Sequence, residues 1–302
     1  MTLRFGFAGT GYWAEQVHLP VLSTLKDVTL AGIWGRSSEK THTLADKFGT
    51  SAFERFEDLL NEVDAVAFAI APAAQAALAT KAAQAGKHLF LEKPVATTSD
   101  EAQRLAKTVK ESGVASVVFF MRRFTPVIEA DVQSFSQQSW RSCQVRWFGA
   151  VMVPGSPYEG SVWRQAEGMA LWDMAPHVFS ILLPILGPVR RVSARHEGHT
   201  VCVTSHHAGG ASADILLSLH AAPSEVVADF EFRGAPGNVK LAGITSTSES
   251  RRQACARAMG DLVANIASGQ RHHHCDVGFG AEGVRILAAA EQSILTKKPV
   301  DL

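Results

Sequence analysis

A glycine-rich turn directly after the first strand-like segment constrains the fold more than any other feature of the sequence. The apolar run Leu3–Ala8 leads into a G-x-G-x-x-A pattern and then into a helix-like stretch near Ala14–Leu25. The first glycine of this pattern permits a tight turn, the second lets the backbone approach a pyrophosphate, and the small last residue allows close helix–strand packing. The free amides at the helix N-terminus favour an anion. We therefore predict a dinucleotide-binding turn; a turn that is tight only for packing reasons is the alternative. The turn residues are Gly9, Thr10, Gly11, Tyr12, Trp13 and Ala14.

Strand-like and helix-like segments alternate as far as about residue 120. The run Asp64–Ile70 is almost continuously apolar, as a strand covered on both faces requires. Gly49, Gly86 and Gly113 each follow a helical pattern directly, where a left-handed residue is wanted. The pattern predicts an α/β Rossmann domain with a parallel sheet. Its other predicted strands are Val28–Trp34, His88–Leu91 and Ala115–Phe120, and its other predicted helices are Glu39–Phe48, Ala74–Ala85 and Asp100–Ser112.

A different pattern begins near Arg123. Apolar and polar residues alternate along residues 143–148 and again along 214–220, as in strands that are buried on one face only. Helical segments are predicted over Gly160–Leu186 and, at the end of the chain, over 249–267 and 278–296. We predict an α+β domain with a large, mainly antiparallel open sheet. The expected division is a Rossmann domain at 1–122 and a substrate-binding domain at 123–302, with the C-terminal helix a candidate to pack back on the first domain.

The bulk composition bears on partners and location. Lys and Arg total 29 and Asp and Glu total 29, so the formal net charge is zero, and neither nucleic acid nor an anionic membrane is indicated as a partner. The longest apolar runs, near Val63–Ala71 and Val178–Leu186, are too short to span a bilayer. The first residues lack the pattern of a signal peptide. The four cysteines form no C-x-x-C pair, so we expect reduced thiols in a cytoplasmic protein.

The end of the second predicted strand bears on the choice of cofactor. An NAD site usually places an Asp or Glu there to bond the ribose 2′-hydroxyl, but no acidic residue occurs between Asp27 and Glu39. Arg36, Ser37 and Ser38 follow the strand instead. A guanidinium and hydroxyls can hold a 2′-phosphate, so the sequence favours NADP over NAD. The alternative is that Arg36 is a surface residue and Ser38 only the N-cap of the next helix.

Several segments, in order along the chain, carry a resemblance to a known family. The most specific is G-K-H-L-F-L-E-K-P at 86–94. R-R-F-T-P follows at 122–126, W-R at 163–164 precedes G-M-A-L-W-D-M-A-P-H at 168–177, and A-A-E-Q-S at 289–293 precedes K-P-V at 298–300. Together they resemble the glucose–fructose oxidoreductase, inositol dehydrogenase and rhizopine-catabolism family (Gfo/Idh/MocA).

The resemblance implies a two-domain enzyme that transfers a hydride between a nicotinamide and a carbinol or carbonyl carbon of a sugar, cyclitol or related polyol. By matching position, Lys93 is the active-site lysine, His177 the acid–base histidine and Asp173 the carboxylate beside it. A homodimer through the exposed face of the C-terminal sheet is also expected. The remaining expected contacts are Ala71, Pro72, Glu92 and Lys93 with the cofactor, and Arg123, Tyr158, Trp163 and Arg164 with the substrate.

The chemistry of hydride transfer asks for such groups independently. A proton must move on the oxygen of the reacting carbon, and a histidine suits that transfer near neutral pH. A lysine ammonium can stabilise developing alkoxide charge. Asp173 and His177 are one helical turn apart, so both can line one cleft.

Each of these three residues also has a purely structural interpretation. Because proline is tolerated in the first turn of a helix, Pro176 predicts a helix that begins near Asp173, which would then serve as its N-cap. Lys93 could be a surface lysine and His177 a hydrogen-bonded core histidine.

The sequence departs from the family pattern at three places. The Asn and His of the family's P-N-x-x-H segment are absent from residues 72–76, and Met169 and Ala175 replace glycines. Family contacts made by those side chains are therefore not carried over. Two functions from other classes stay open: a non-catalytic dinucleotide-binding regulator, and a reductase of a non-sugar substrate.

A run of three histidines and a cysteine, residues 272–275, contains zinc-type ligands. Adjacent residues seldom converge on one tetrahedral ion, and no second ligand group lies at a zinc-like spacing. We therefore predict no metal site.

Overall fold

The computed structural model describes residues 2–165, 168–241 and 247–302. The chain divides into two compact units, each with its own sheet. Met1–Phe124 and Ser246–Val284 form the first unit, and Thr125–Thr245 and Arg285–Leu302 form the second. The first break lies close to the division made on the sequence at 122/123. That division assigns residues 246–284 to the second domain, whereas here they pack with the first unit.

The secondary structure begins and ends at the following residues. The strands are β1 (Leu3–Ala8), β2 (Val28–Trp34), β3 (Ser51–Phe53), β4 (Ala65–Phe68), β5 (His88–Leu91), β6 (Ser116–Val118), β7 (Trp140–Phe148), β8 (Val189–Glu197), β9 (Thr200–His207), β10 (Ser212–Ser218), β11 (Val227–Gly234), β12 (Gly237–Lys240) and β13 (Val300–Asp301). The α-helices are α1 (Leu19–Leu22), α2 (Ser38–Phe48), α3 (Phe56–Asn61), α4 (Pro72–Gln84), α5 (Ser99–Ser112), α6 (Pro126–Ser136), α7 (Val162–Gln165), α8 (Met169–Leu186), α9 (Ser248–Ser268) and α10 (Val277–Thr296).

The first unit is built on six parallel strands in the order β3-β2-β1-β4-β5-β6. The order reverses direction between β1 and β4, and a ligand of an open α/β sheet binds at the carboxyl ends of the strands at such a point. Phe5, Phe7, Phe68 and Phe90 are fully buried in the core of this unit. The predicted parallel Rossmann sheet is confirmed. The predictions for β1, β2 and β5 have the observed bounds, while β3 and α3 were not predicted.

Side-chain caps and glycines set the ends of the helices around this sheet. The Ser37 hydroxyl accepts a hydrogen bond from the Lys40 amide, so the N-cap of α2 is Ser37. The proposal that Ser38 is the cap is wrong, because Ser38 is already the first helical residue. Gly49 and Gly113 end α2 and α5 in the left-handed conformation, with φ of 62° and 64°, where L side chains are strained.

The second unit contains a seven-stranded sheet in the order β12-β11-β7-β10-β9-β8-β13. The pair β7–β10 is parallel and the other pairs are antiparallel, which confirms a mainly antiparallel sheet. Helix α8 packs on one face, against β7, β9 and β10. The alternation predicted for residues 143–148 holds in β7, where Cys143 and Val145 are buried and Gln144 and Arg146 are exposed.

Helix α8 begins at Met169, after Gly168, and not near Asp173. Asp173 is therefore inside the helix and is not its N-cap; that prediction is wrong. Pro176 and Pro184 both lie within α8. Each proline removes a backbone hydrogen bond, but most of the helix is buried, and tertiary packing overrides the local preference. Its length and composition would suit a membrane span, yet 78% of that stretch is buried in the protein, as in the core helix of a folded domain.

Candidate active site

The glycine-rich turn connects β1 to a helical segment in the first unit. Gly9 has a φ of 139°, and a Cβ there would collide with the carbonyl of Ala69. A Cβ at Gly11, in contrast, would meet no atom within 4 Å. Ala14 is fully buried, as close helix–strand packing requires. The turn thus has a backbone that only glycine can adopt at one position and open space at the next, which fits a pyrophosphate at the helix N-terminus.

The helix that follows this turn starts with a π-helical turn, Ala14–His18, before α1. His18 is fully buried against the rings of Phe7, Phe90 and Phe119. Its Nε2 lies 2.8 Å from Oε1 of Glu92, the acidic residue of the E-K-P segment. The sequence analysis did not single out His18. This contact holds the Glu92 side chain in place.

Gln75 holds the backbone on both sides of Lys93. The amide side chain is fully buried in α4, and its Nε2 donates to the carbonyls of Glu92, at 2.7 Å, and Pro94, at 3.2 Å. Its Oε1 accepts from the Glu92 amide at 2.9 Å. Lys93 is half-buried, and the backbone of the residues before and after it is hydrogen-bonded to Gln75. Gln75 lies in the segment where the family's Asn and His are missing, and only that position in the sequence could have suggested it.

The carboxyl end of β2 differs from a typical NAD site. A Cβ at Gly35 would lie 2.6 Å from Cγ2 of Thr10, so Thr10 closes the position from which a carboxylate would extend. Arg36 and Ser38 follow and are exposed. The Ser38 hydroxyl donates to Oε1 of Glu54 at 2.7 Å. The sequence analysis missed Glu54, because this carboxylate comes from the end of β3, a strand that was not predicted.

In the second unit, Arg164 and Asp173 form a nearly buried ion pair. Arg164 Nε lies 2.9 Å from Asp173 Oδ2, and Nη2 lies 3.4 Å from Oδ1. The side chains are only 14% and 11% exposed. The guanidinium carbon also lies 4.7 Å from the centroid of the Tyr158 ring and 4.3 Å from that of Trp163, in cation–π contact with both. Three residues expected to contact substrate thus lie together: Arg164 pairs with Asp173, and Tyr158 and Trp163 contact the Arg164 guanidinium.

His177 is on the same helix, one turn after Asp173. Its ring lies 5.8 Å from that of Trp147, centroid to centroid, at an angle of 32°. Phe230 packs edge-on against the Trp147 ring, with the centroids 6.2 Å apart. Trp147, on β7, therefore packs between the imidazole and Phe230 of β11. Trp147 was identified in the sequence only as a strand residue. Arg123, the remaining expected substrate contact, is buried in a 3-10 turn of the first unit.

The histidine run comes closer together than the sequence argument expects. Ligand atoms of His273, His274 and Cys275 lie within 4.8 Å of one another. However, Nδ1 of His273 accepts a hydrogen bond from the Cys275 amide at 3.0 Å, which puts the ring proton on Nε2. Nε2 in turn lies 3.5 Å from a carboxylate oxygen of Asp261. His273 would have to give up this arrangement to bind an ion.

Residues 3–120 match the model of an oxidoreductase family with an NAD-binding Rossmann fold. Over these residues the chain is similar to the Gfo/Idh/MocA oxidoreductase family. The family resemblance noted in the sequence is thereby confirmed.

Individual relatives are distant. YceM of Salmonella typhimurium, named only as an oxidoreductase, is 25% identical over 224 residues, which are 72% of this chain and 69% of YceM. The scyllo-inositol 2-dehydrogenase (NADP(+)) IolW of Bacillus subtilis is 24% identical over 202 residues, 64% of this chain and 54% of IolW. The chain thus matches only about half to two thirds of these relatives' lengths.

The fold has similar solved structures along its whole length. The scyllo-inositol dehydrogenase of Lactobacillus casei, solved with NAD(H) and scyllo-inositol, has a TM-score of 0.86 at 17% identity, covering 100% of this chain and 98% of that one. At this identity the likeness establishes the fold and no more.

Proposed function

We propose that this chain is an NADP(H)-dependent dehydrogenase or reductase of a sugar, cyclitol or related polyol. The observation that carries the proposal is the placement of Asp173 and His177 on one helix, with the Asp173 carboxylate held by the Arg164 fork. The names of IolW and of the L. casei enzyme, both inositol dehydrogenases, support the substrate class.

The residues divide the chemistry between them. The bound nicotinamide supplies or accepts a hydride at the carbon that carries the reacting oxygen. His177 exchanges a proton with that oxygen, and Lys93 donates a hydrogen bond to it and stabilises its negative charge. Asp173 orients the neighbouring groups, and the guanidinium of Arg164 holds its carboxylate in place.

We infer that the cofactor is NADP in preference to NAD. Arg36 and Ser37 stand at the N-terminus of α2, where a guanidinium and free amides suit a 2′-phosphate. Replacing Arg36 with Asp should weaken NADP binding by on the order of tenfold or more, a loss of about 1.4 kcal/mol, and leave NAD binding no weaker. Wild-type protein that binds NAD as tightly as NADP in a calorimetric titration would exclude this preference.

The activity is tested with a panel of sugars, cyclitols and their keto forms, each with NADP and NADPH, followed by nicotinamide absorbance. We expect turnover of at least one polyol or its keto form, which is lost in the Lys93→Ala and His177→Ala variants. Tight NADPH binding without turnover across the panel would favour a non-catalytic regulator. Turnover confined to carbonyl compounds unrelated to sugars would contradict the substrate class.

We also propose that the protein is a cytoplasmic homodimer that binds neither nucleic acid nor membrane. A net charge of zero and the burial of α8 support these two exclusions. The face of the second sheet opposite α8 carries charged side chains, including Arg146 and Asp229, which pair at 2.8 Å. A contact through such a face would be polar and hydrated.

A further inference from the structure

The carboxyl end of β2 contains no room for an acidic side chain of its own. Thr10 fills the space next to Gly35, and a Cβ there would also lie 3.0 Å from Oγ1 of Thr41. A side chain at position 35 would therefore require both threonines to move. A carboxylate that favours a 2′-hydroxyl over a 2′-phosphate must therefore come from elsewhere in the first unit.

Glu54 is placed to act as that group. It follows Phe53, which pairs with Trp34 at the end of β2, so its backbone lies at the same edge of the sheet. The Trp34 indole donates to the Glu54 carbonyl at 3.3 Å and fixes the backbone there. The Ser38 hydroxyl holds the carboxylate at 2.7 Å, and Nδ1 of His42 lies 3.8 Å from the same oxygen.

Opposite charges therefore flank the N-terminus of α2. Arg36 contributes a guanidinium just before the N-cap, while Glu54 contributes a carboxylate that engages the first helical residue, Ser38. A carboxylate accepts a hydrogen bond from a ribose hydroxyl but repels a phosphate. Ser38 also cannot give its proton to a phosphate while it donates to Glu54.

We propose that Glu54 is a cofactor-selectivity residue, whose carboxylate opposes a 2′-phosphate and keeps the preference for NADP small. This inference rests on the proposed dinucleotide site, but not on catalysis or on the identity of the substrate. The Glu54 side chain is 65% exposed, so solvent and salt screen its charge and limit the size of the effect.

The test compares Glu54→Gln with wild type in calorimetric titrations with NADP and NAD. Glutamine keeps an acceptor for Ser38 but removes the charge, and the exposed position makes a folding defect unexpected. We expect the variant to bind NADP about three- to tenfold more tightly at low salt, with NAD unchanged or weaker. Glu57→Gln is the matched control. It removes an exposed carboxylate paired with Lys81 on α4, and the ratio of the two Kd values should stay at the wild-type value.

The fragments 2′,5′-ADP and 5′-AMP isolate the effect, since they differ only in the 2′-phosphate. An unchanged ratio of their Kd values in Glu54→Gln would overturn the proposal. Failure of the NADP preference itself gives a different result. In that case wild type favours NAD, yet Glu54→Gln still shifts the ratio towards NADP.

Discussion

Arg164 and Asp173 form a nearly buried ion pair in the second unit. Removing a charge from water costs free energy, and a buried pair recovers it only with good geometry and further bonds. Here the fork is bidentate and the guanidinium also stacks between two aromatic rings. Loss of Arg164 would remove both hydrogen bonds that the fork gives to Asp173, so we propose that the arginine positions Asp173.

Arg164→Lys tests this role. A lysine keeps the charge but cannot form the fork, so Asp173 should lose its fixed orientation. We expect kcat to fall by about tenfold or more, an increase in barrier of about 1.4 kcal/mol, with a smaller change in KM. Calorimetry of NADP binding and a thermal melt serve as controls. A KM that rises while kcat holds would instead make Arg164 a direct substrate contact.

His177 and Lys93 are expected to act on the transition state. Loss of such groups appears mainly in kcat and kcat/KM, and general acid–base catalysis is worth ~10²–10⁴-fold. His177→Ala and Lys93→Ala should each lose on the order of 10²-fold in turnover, measured by nicotinamide absorbance, with little change in NADP affinity.

The double variant distinguishes joint from separate action. If the two residues act as one unit, their losses do not add in Lys93→Ala/His177→Ala. A folded His177→Ala protein that binds NADP and retains turnover within about threefold of wild type, under ~1 kcal/mol of barrier, would remove His177 from the mechanism.

Among the elements, the E-K-P segment after β5 depends most on a single side chain elsewhere. Gln75 satisfies an amide and two carbonyls around Lys93, and each buried polar group left unpaired costs about 1–3 kcal/mol. Gln75→Leu should therefore lower stability and displace Lys93. We expect kcat to fall by roughly tenfold with NADP affinity retained, as measured by steady-state kinetics and calorimetry.

Stability and positioning are separated by a control in the same helix. Thr80→Val removes a hydroxyl bonded to the Ala76 carbonyl within α4, and no hydrogen bond described for Thr80 reaches the Lys93 segment. A Gln75→Leu protein with unchanged kcat, whatever its melting temperature, would make the clamp purely structural.

The elements also show which parts of the structure can be predicted from the sequence. The first sheet was predictable because β1, β2 and β5 are apolar runs followed by distinctive turns, and the glycine caps of α2 and α5 depend on local conformation alone. The start of α8 could not be predicted, because burial of the helix overrides the local effect of Pro176. Short β3 has too few residues for a period, and Glu54 was missed with it. The role of Gln75 could not be predicted either, because it depends on a fold that brings residues 75 and 92 together.

For the whole molecule, the assembly prediction depends on the exposed face of the second sheet. Arg146 and Asp229 pair across that face. Reversing one charge should weaken a polar interface more than it weakens the fold, because exposed pairs contribute little to stability. We expect a dimer mass by light scattering, with dissociation shifted to higher concentration in Asp229→Arg. A monomer mass over a wide concentration range would refute the dimer.

Stability of the molecule should fall as the pH drops below about 6.5, the ordinary pKa of histidine. Burial lowers the pKa of His207, whose Nδ1 donates to the Gly187 carbonyl at 2.7 Å and whose Nε2 lies 3.1 Å from the Ser205 hydroxyl. Burial likewise lowers the pKa of His88, whose Nδ1 accepts from the Ala115 amide at 2.9 Å, a bond that protonation abolishes.

Because these folded-state pKa values lie below the unfolded ones, the unfolded chain binds more protons below about pH 6.5. The histidines therefore stabilise the fold above that pH, and this contribution is lost as the pH falls towards their folded values. Each adds at most about 1.4 kcal/mol per pH unit to the slope of the unfolding free energy. Urea titrations from pH 7.5 to 5 should show His207→Gln with a shallower slope than wild type. Equal slopes in wild type and His207→Gln would mean that His207 takes up its proton as readily in the folded chain as in the unfolded one.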